Sequence, residues 1–155
     1  MKTRTILISL AATLAGYALS FAGSDAFMGT WKLNDSKSKI TPGMGKNVTV
    51  VYSMAGDSIK ATVDGVDADG KPTHNEWTGK FDGKDYAVSG DPTSDMRACK
   101  QINDHTLELT VKKGGKVTVS GKIIVAADGK SRTVAVRGTD PKGKKYSNIS
   151  FYDKQ

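Results

Sequence analysis

The chain holds one cysteine, two histidines and four prolines in 155 residues, and aromatic side chains make up only 7% of it. A single cysteine cannot close an internal disulfide, so the fold has to stand on its apolar core. Cys99 itself, in the run SDMRACKQI, reads as filler of that core, because free cysteine is among the most buried residue types. His74 and His105 show no metal-ligand spacing, and H-E-x-x-H, C-x-x-C and G-x-S-x-G are all missing. Without a nucleophile, a base and an oxyanion site in sight, the expectation is a protein that is not an enzyme and carries no cofactor. Charge of one sign is not concentrated either. The net charge of +7 is spread over lysines in turns and on strand faces, with no block of like charges and no basic stripe carrying aromatic stacking platforms. That distribution argues against a nucleic-acid partner and leaves weak attraction to anionic surfaces as its one long-range consequence.

Only one long apolar run exists, and it lies at the very start. In MKTRTILISLAATLAGYALSFAGSDAF, Lys2 and Arg4 precede an apolar stretch from Ile6 to Ala18, and Ser20-Phe21-Ala22 offers small residues where a signal peptidase cuts. The stretch is short for a bilayer span and no basic stop-transfer cluster follows it. The expectation is a signal peptide over residues 1–22, an exported domain over 23–155 with a net charge of +5, and no stable membrane insertion after cleavage. The compartment is the periplasm or the outside, and nothing in the pattern asks for more than a monomer.

Past residue 22 helical periodicity is absent, and short alternating runs recur between Gly- and Asp-rich turns. Ten strands are predicted: 28–34, 47–54, 57–64, 73–81, 85–89, 94–102, 105–112, 116–126, 131–138 and 145–153. The turns Asp69-Gly70-Lys71, Asp82-Gly83-Lys84 and Asp128-Gly129-Lys130 are near copies, with Gly114-Gly115 and Lys142-Gly143 as variants. Asp-Gly suits hairpins whose central residues take positive φ. Hairpins joining sequence neighbours make an up-and-down meander, and so many strands would leave exposed edges unless the sheet closes. The fold class expected is therefore all-β, an antiparallel up-and-down β-barrel of about 8–10 strands joined by Asp-Gly hairpins. An open or sandwiched sheet is the alternative.

Some residues carry chemistry of their own. DGVDADGKPTHNEW (64–77) places Asp67, Asp69 and Glu76 at positions of a calcium loop, but its flanks are strands rather than helices and Gly65 takes the first ligand position. It reads as an acidic hairpin turn and a weak calcium candidate. Alternation puts Leu107, Leu109 and Val111 on one strand face, Val117, Val119, Ile123 and Val125 on another, and Val134 and Val136 on a third. Trp77 and Phe81 share a face opposite His74 and Glu76. Arg132 joins the Val134 face and Arg97 the Cys99 face. An arginine looking into an apolar cavity can anchor an anion; one at a strand end can equally reach water past its own stem.

AFMGTWKLN (26–34) resembles the opening of the calycin barrels. G-x-W on the first strand is the lipocalin mark, F-x-G-T-W-K-L is similar to the start of intracellular fatty-acid-binding proteins, and ISFYDKQ (149–155) is like their closing strand. The resemblance implies that Gly29 and Trp31 serve structural closure of one barrel end. It departs from the fatty-acid binders in two places. Residues 35–46 are too short and too broken by Pro42 and glycines for their helix-turn-helix, and the arginine two residues before their final tyrosine is Ser150 here, although Tyr152 is kept. The chain is closer in pattern to small exported bacterial lipocalin-like proteins. The expected function is non-catalytic binding of a small, largely apolar ligand in the barrel, with Trp77, Phe81, Arg97, Arg132 and Tyr152 as candidate ligand-binding residues. The alternative is an envelope or secreted interaction protein whose barrel is filled by its own side chains.

Overall fold

Each of the ten alternating runs forms a strand. The computed structural model describes residues 23–155, so the signal peptide expected over residues 1–22 lies outside the described residues. The strands are β1 (Gly29–Leu33), β2 (Lys46–Ala55), β3 (Ser58–Val66), β4 (Pro72–Gly79), β5 (Tyr86–Ser89), β6 (Met96–Asn103), β7 (Thr106–Lys113), β8 (Lys116–Val125), β9 (Ser131–Thr139) and β10 (Lys145–Lys154). Every strand pairs antiparallel with its sequence neighbours, and β10 returns to pair with β1, with Leu33 opposite Tyr152 and Trp31 opposite Lys154. The sheet is a closed up-and-down barrel, which leaves no free edge to recruit another chain. Among the described residues, helix is confined to two short 3-10 turns, Asp25–Phe27 ahead of β1 and Asp35–Lys37 after it.

The turns work differently from the expectation for Asp-Gly. No described residue other than glycine has positive φ, so aspartate does not occupy a left-handed turn position. It acts instead as a side-chain cap. Asp67 Oδ1 accepts from the backbone amides of Asp69 and Lys71, and Asp140 Oδ1 does the same for Lys142 and Lys144. These are Asx turns, in which the carboxylate takes up amides that the tight loop leaves without a ladder partner. Only Gly114-Gly115, with φ of 55° and 77°, places both central residues in the left-handed region that a two-residue hairpin prefers.

Alternation assigns the lumen once the sheet is closed. Cross-strand partners share a face, so Trp31, Val50, Val63 and Asn75 point inward together, as do Tyr152, Arg132 and Val125. One expectation fails here. Val117 does not share the Val119 face, because a bulge at Thr118 places Val111 opposite Val119 and Lys112 opposite Val117. The extra residue reverses the alternation, and Val117 faces outward, 57% exposed. The strand predicted over 73–81 ends at Gly79, where an added Cβ would meet the Trp77 and Tyr86 rings at 2.6 Å. Phe81–Gly83 then runs beside the lower part of β6, with Gly83 N–H donating to the Cys99 carbonyl and Gln101 N–H to that of Phe81.

The lumen has two halves. Toward the end where β1 begins, the inward residues are fully packed: Phe27, Trp31, Trp77, Cys99 and Leu107 have 0–1% exposure, joined by Tyr52, Ile59, Ala61, Ile123, Val125 and Tyr152. Toward the other end, where the β7–β8 and β9–β10 turns lie, inward apolar residues on the same strand faces are only partly buried. These include Leu33, Val88, Leu109, Val111, Val119, Val134, Val136 and Tyr146. One end of the barrel is plugged; toward the other end the apolar lining is only partly covered, although Val63, Asn75, Ser94 and Asn148 are buried there too.

Candidate functional site

The plug is built by the first residues of the domain. Ser24 closes a 3-10 turn with Phe27, which carries the Phe27 ring under the barrel. The Trp31 indole N–H donates to the Phe27 carbonyl at 2.9 Å, so this buried polar hydrogen is satisfied. Phe27 meets Phe81 edge-on at 5.6 Å, Phe81 stacks on Trp77 at 6.4 Å, and Trp77 meets Tyr86 edge-on at 5.9 Å. Trp77 and Phe81, predicted as ligand contacts, therefore belong to the aromatic packing of the closed end. The Trp77 indole N–H is also satisfied internally, by the Arg97 carbonyl at 3.0 Å.

Above this plug lies the layer in which two other candidates meet. The Arg132 guanidinium sits 4.8 Å from the Trp31 ring centre, 4.8 Å from Tyr152 and 5.3 Å from Tyr52. Three aromatic faces around one cation form a cage in which ring quadrupoles offset part of its lost hydration. Arg132 is 2% exposed, so it does not reach water past its stem. The neighbouring Tyr52 hydroxyl favours its charged form, while Nε and Nη1, both buried, have no hydrogen-bond partner. Desolvation pulls its pKa below the ordinary arginine value, opposed by its tyrosine and cysteine neighbours.

Tyr152 completes the cage with its ring and spends its hydroxyl elsewhere, donating to the Asn47 carbonyl at 2.9 Å. Burial raises its pKa to about 12. Cys99 shares the layer, and burial raises its thiol to about 11, which makes it packing rather than a nucleophile. Arg97 lies one inward position further toward the open end than Cys99. It is half-buried and donates through Nη2 to the Asn75 Oδ1 at 3.2 Å. The five candidates thus divide into a plug pair (Trp77, Phe81), a cage pair (Arg132, Tyr152) and Arg97 toward the mouth.

Sequence reasoning passed over Tyr52 and Asn75. Both lie on inward faces with residues that it did weigh, and alternation along VTVVYSM and THNEWTG places them there. It could not find that the cage draws on β1, β2, β9 and β10, because that meeting depends on closure between the chain ends. The calcium candidate does not assemble. Asp67 spends Oδ1 on turn amides, and Glu76 lies on the outer face paired with Lys60 at 2.8 Å and near His74, which bonds Asp64 at 2.6 Å. No group of three or more acidic, histidine or cysteine side chains among the described residues is arranged to hold a metal ion. Two further concavities flank the barrel. One, about 290 Å³, lies at the closed end beside Ile59, Lys80, Phe81 and Gln101; the other, about 580 Å³, draws on both faces of β8–β10 near the open end.

No protein-family model and no curated protein matches the chain. Among solved structures it is similar to a redesigned beta barrel, mFAP1, bound to DFHBI, at 14% identity and a TM-score of 0.44, over 86% of this chain and 98% of that one. It is also similar to EF1p2_mFAP2b bound to DFHBI, at 10% identity and a TM-score of 0.47, over 84% and 94%. What the fold itself defines is a closed ten-stranded antiparallel barrel, plugged at one end and less fully packed toward the other.

Proposed function

We propose that this is an exported, non-catalytic binding protein of lipocalin-like type that holds a small, largely apolar molecule in the open half of its barrel. The observation that carries this is the division of the lumen. Leu109, Val111, Val119, Val134 and Val136 continue the buried inward faces yet stay accessible to water, and water-exposed apolar surface inside a concave wall gains by receiving an apolar ligand. A barrel serving only as a filled interaction scaffold would pack this half as it packs the other. The non-catalytic reading rests on where the reactive groups lie. Cys99 is buried inside, His74 is on the outer face bonded to Asp64, and His105 is in the turn before β7.

Export is part of the proposal and rests on the first 22 residues. Both parts are tested by native mass spectrometry of the protein recovered without detergent from the exported fraction of expressing cells. A polypeptide beginning at Gly23 is expected, together with an added mass that vanishes on denaturation. An uncleaved chain would refute export. A bare polypeptide that also fails to take up medium-chain alcohols or carboxylates would refute the carrier and favour a protein partner.

A further inference from the structure

The larger of the two concavities, about 580 Å³, belongs to neither the plug nor the cage. Its polar wall is Thr118, Ser120, Arg137, Thr139, Lys145 and Ser147, and the strand register brings them together. Ser120 on β8 and Ser147 on β10 both stand opposite Arg137 on β9, and Thr139 stands opposite Lys145. Alternation turns these rows outward, away from the inward Val136, Gly138 and Tyr146. Arg137 and Lys145 are diagonal neighbours across the β9–β10 ladder, close enough for two long cationic side chains to repel. Both are exposed, no carboxylate lines the concavity, and neither cation is in an ion pair among the described residues. Elsewhere on the surface Lys46, Lys60, Lys80 and Lys112 each meet an acid at 2.6–2.8 Å. Asp140, the acid of the adjoining turn, has Oδ1 engaged by the amides of Lys142 and Lys144. One corner of the concavity is made by the β8 bulge. Thr118 stands opposite no residue of β7 or β9, and its hydroxyl donates to the Val111 carbonyl at 3.3 Å. Gly138 beside it has no room for a side chain, since an added Cβ would lie 2.6 Å from the Thr118 carbonyl oxygen. The ladder is thus interrupted beside the two unpaired cations, and bulges are favoured where a sheet re-aims side chains for a function.

We propose that this outer groove is a second binding site, for a phosphate or sulphate ester carried on a hydroxylated body such as a sugar. The ester oxygens accept from the Arg137 guanidinium and the Lys145 ammonium, which removes the repulsion between the two cations. Ser120, Thr139 and Ser147 each offer a hydroxyl that donates or accepts, and so match sugar hydroxyls as well as ester oxygens. A bare phosphate would leave most of the volume unfilled, because sites of about 300–1,000 Å³ take whole small molecules. The groove lies on the outer face, so it stands independently of what the lumen holds.

The test is an NMR titration of the nitrogen-15-labelled protein with glucose 6-phosphate, glucose and inorganic phosphate at about pH 7.5, where a phosphate monoester carries close to two negative charges. Glucose 6-phosphate is expected to bind about tenfold more tightly than glucose and several-fold more tightly than inorganic phosphate, shifting the amides of residues 118–120, 137–139 and 145–147. Arg137→Gln and Lys145→Gln, both at exposed positions, are each expected to weaken it at least about fivefold. Lys100→Gln removes the same charge from the outer face of β6 and is expected to leave the affinity within about twofold. A loss in Lys100→Gln as large as in Arg137→Gln would make the attraction diffuse and overturn the site. Shifts confined to other residues, or none at all, would also overturn it. Inorganic phosphate binding as tightly as the sugar ester would reduce the groove to an adventitious ion only. Dextran sulphate separates the two sources of such an ester. If it displaces glucose 6-phosphate at a far lower concentration of ester groups, the natural ligand is a polymer; if it does not, the ligand is a free sugar ester.

Discussion

At the scale of the residue, burial decides what each side chain can do. Tyr152 shows it in a measurable way. Its phenol is pushed to about 12 chiefly by desolvation, which outweighs the nearby Arg132 cation acting in the opposite direction, and Tyr52 is raised for the same first reason. In the unfolded chain these phenols ionise near pH 10. The folded state therefore holds the proton more tightly, the contribution is whole below pH 10, and it is lost as the pH rises from 10 toward 12. Urea midpoints are expected to be flat from pH 8 to 9.5 and to fall above 10, with Tyr152 alone accounting for about 2–3 kcal/mol across the full range. Tyr152→Phe should make the alkaline slope shallower, after an initial cost of about 1 kcal/mol for the lost bond to the Asn47 carbonyl. An unchanged slope would mean that the phenol is not held in the buried site. The sequence marked Tyr152 through its resemblance to a closing strand, but nothing in ISFYDKQ shows that its hydroxyl goes to a backbone carbonyl. That partner lies 105 residues away in sequence.

At the scale of the element, the strands were legible because each is a short alternating run bounded by turn residues, and the ends differ from the pattern by only a residue or two. Less legible was where the alternation breaks. The bulge at Thr118 that turns Val117 outward has no signature in KVTVSGKII, since a run of β-branched residues suits either face. Gly121, in the same strand, is a related case. An added Cβ there would lie 2.1 Å from the Ala135 carbonyl oxygen and 2.8 Å from the Val136 Cα, so β8 and β9 approach too closely for any side chain. Gly121→Ala is expected to cost about 1–3 kcal/mol, the usual range for overpacking where backbone must shift. A thermal or urea melt within about 0.3 kcal/mol of wild type would show that the two strands are not drawn together at this point.

At the scale of the molecule, what could not be read was which face became the lumen and which end stayed open, because both follow from β10 meeting β1 and from Phe27 entering beneath the barrel. Once closure is known, the spread of charge that looked featureless along the chain acquires a direction. The open end is ringed by five connections. The turns and adjoining strand ends of β7–β8 and β9–β10 carry Lys113, Lys116, Lys142, Lys144 and Lys145 against Asp140, while the turns of β3–β4 and β5–β6 carry Asp67, Asp69, Asp91 and Asp95 against Lys71. Of the aspartates, Asp67, Asp91 and Asp95 are already engaged as turn caps by backbone amides. The mouth is thus polarised, with a lysine lip beside the strands that bear Val119, Val136 and Arg132. A rim charge acts on the rate of encounter more than on the final affinity, and salt screens it over about 8–10 Å at physiological strength. Stopped-flow association of decanoate is expected to slow several-fold between 20 and 300 mM NaCl, while that of decanol stays level and both dissociation rates hardly change. Lys142→Gln, Lys144→Gln and Lys145→Gln combined should remove most of that salt dependence. If the triple variant kept the salt dependence, the lysine lip would not be what steers the encounter.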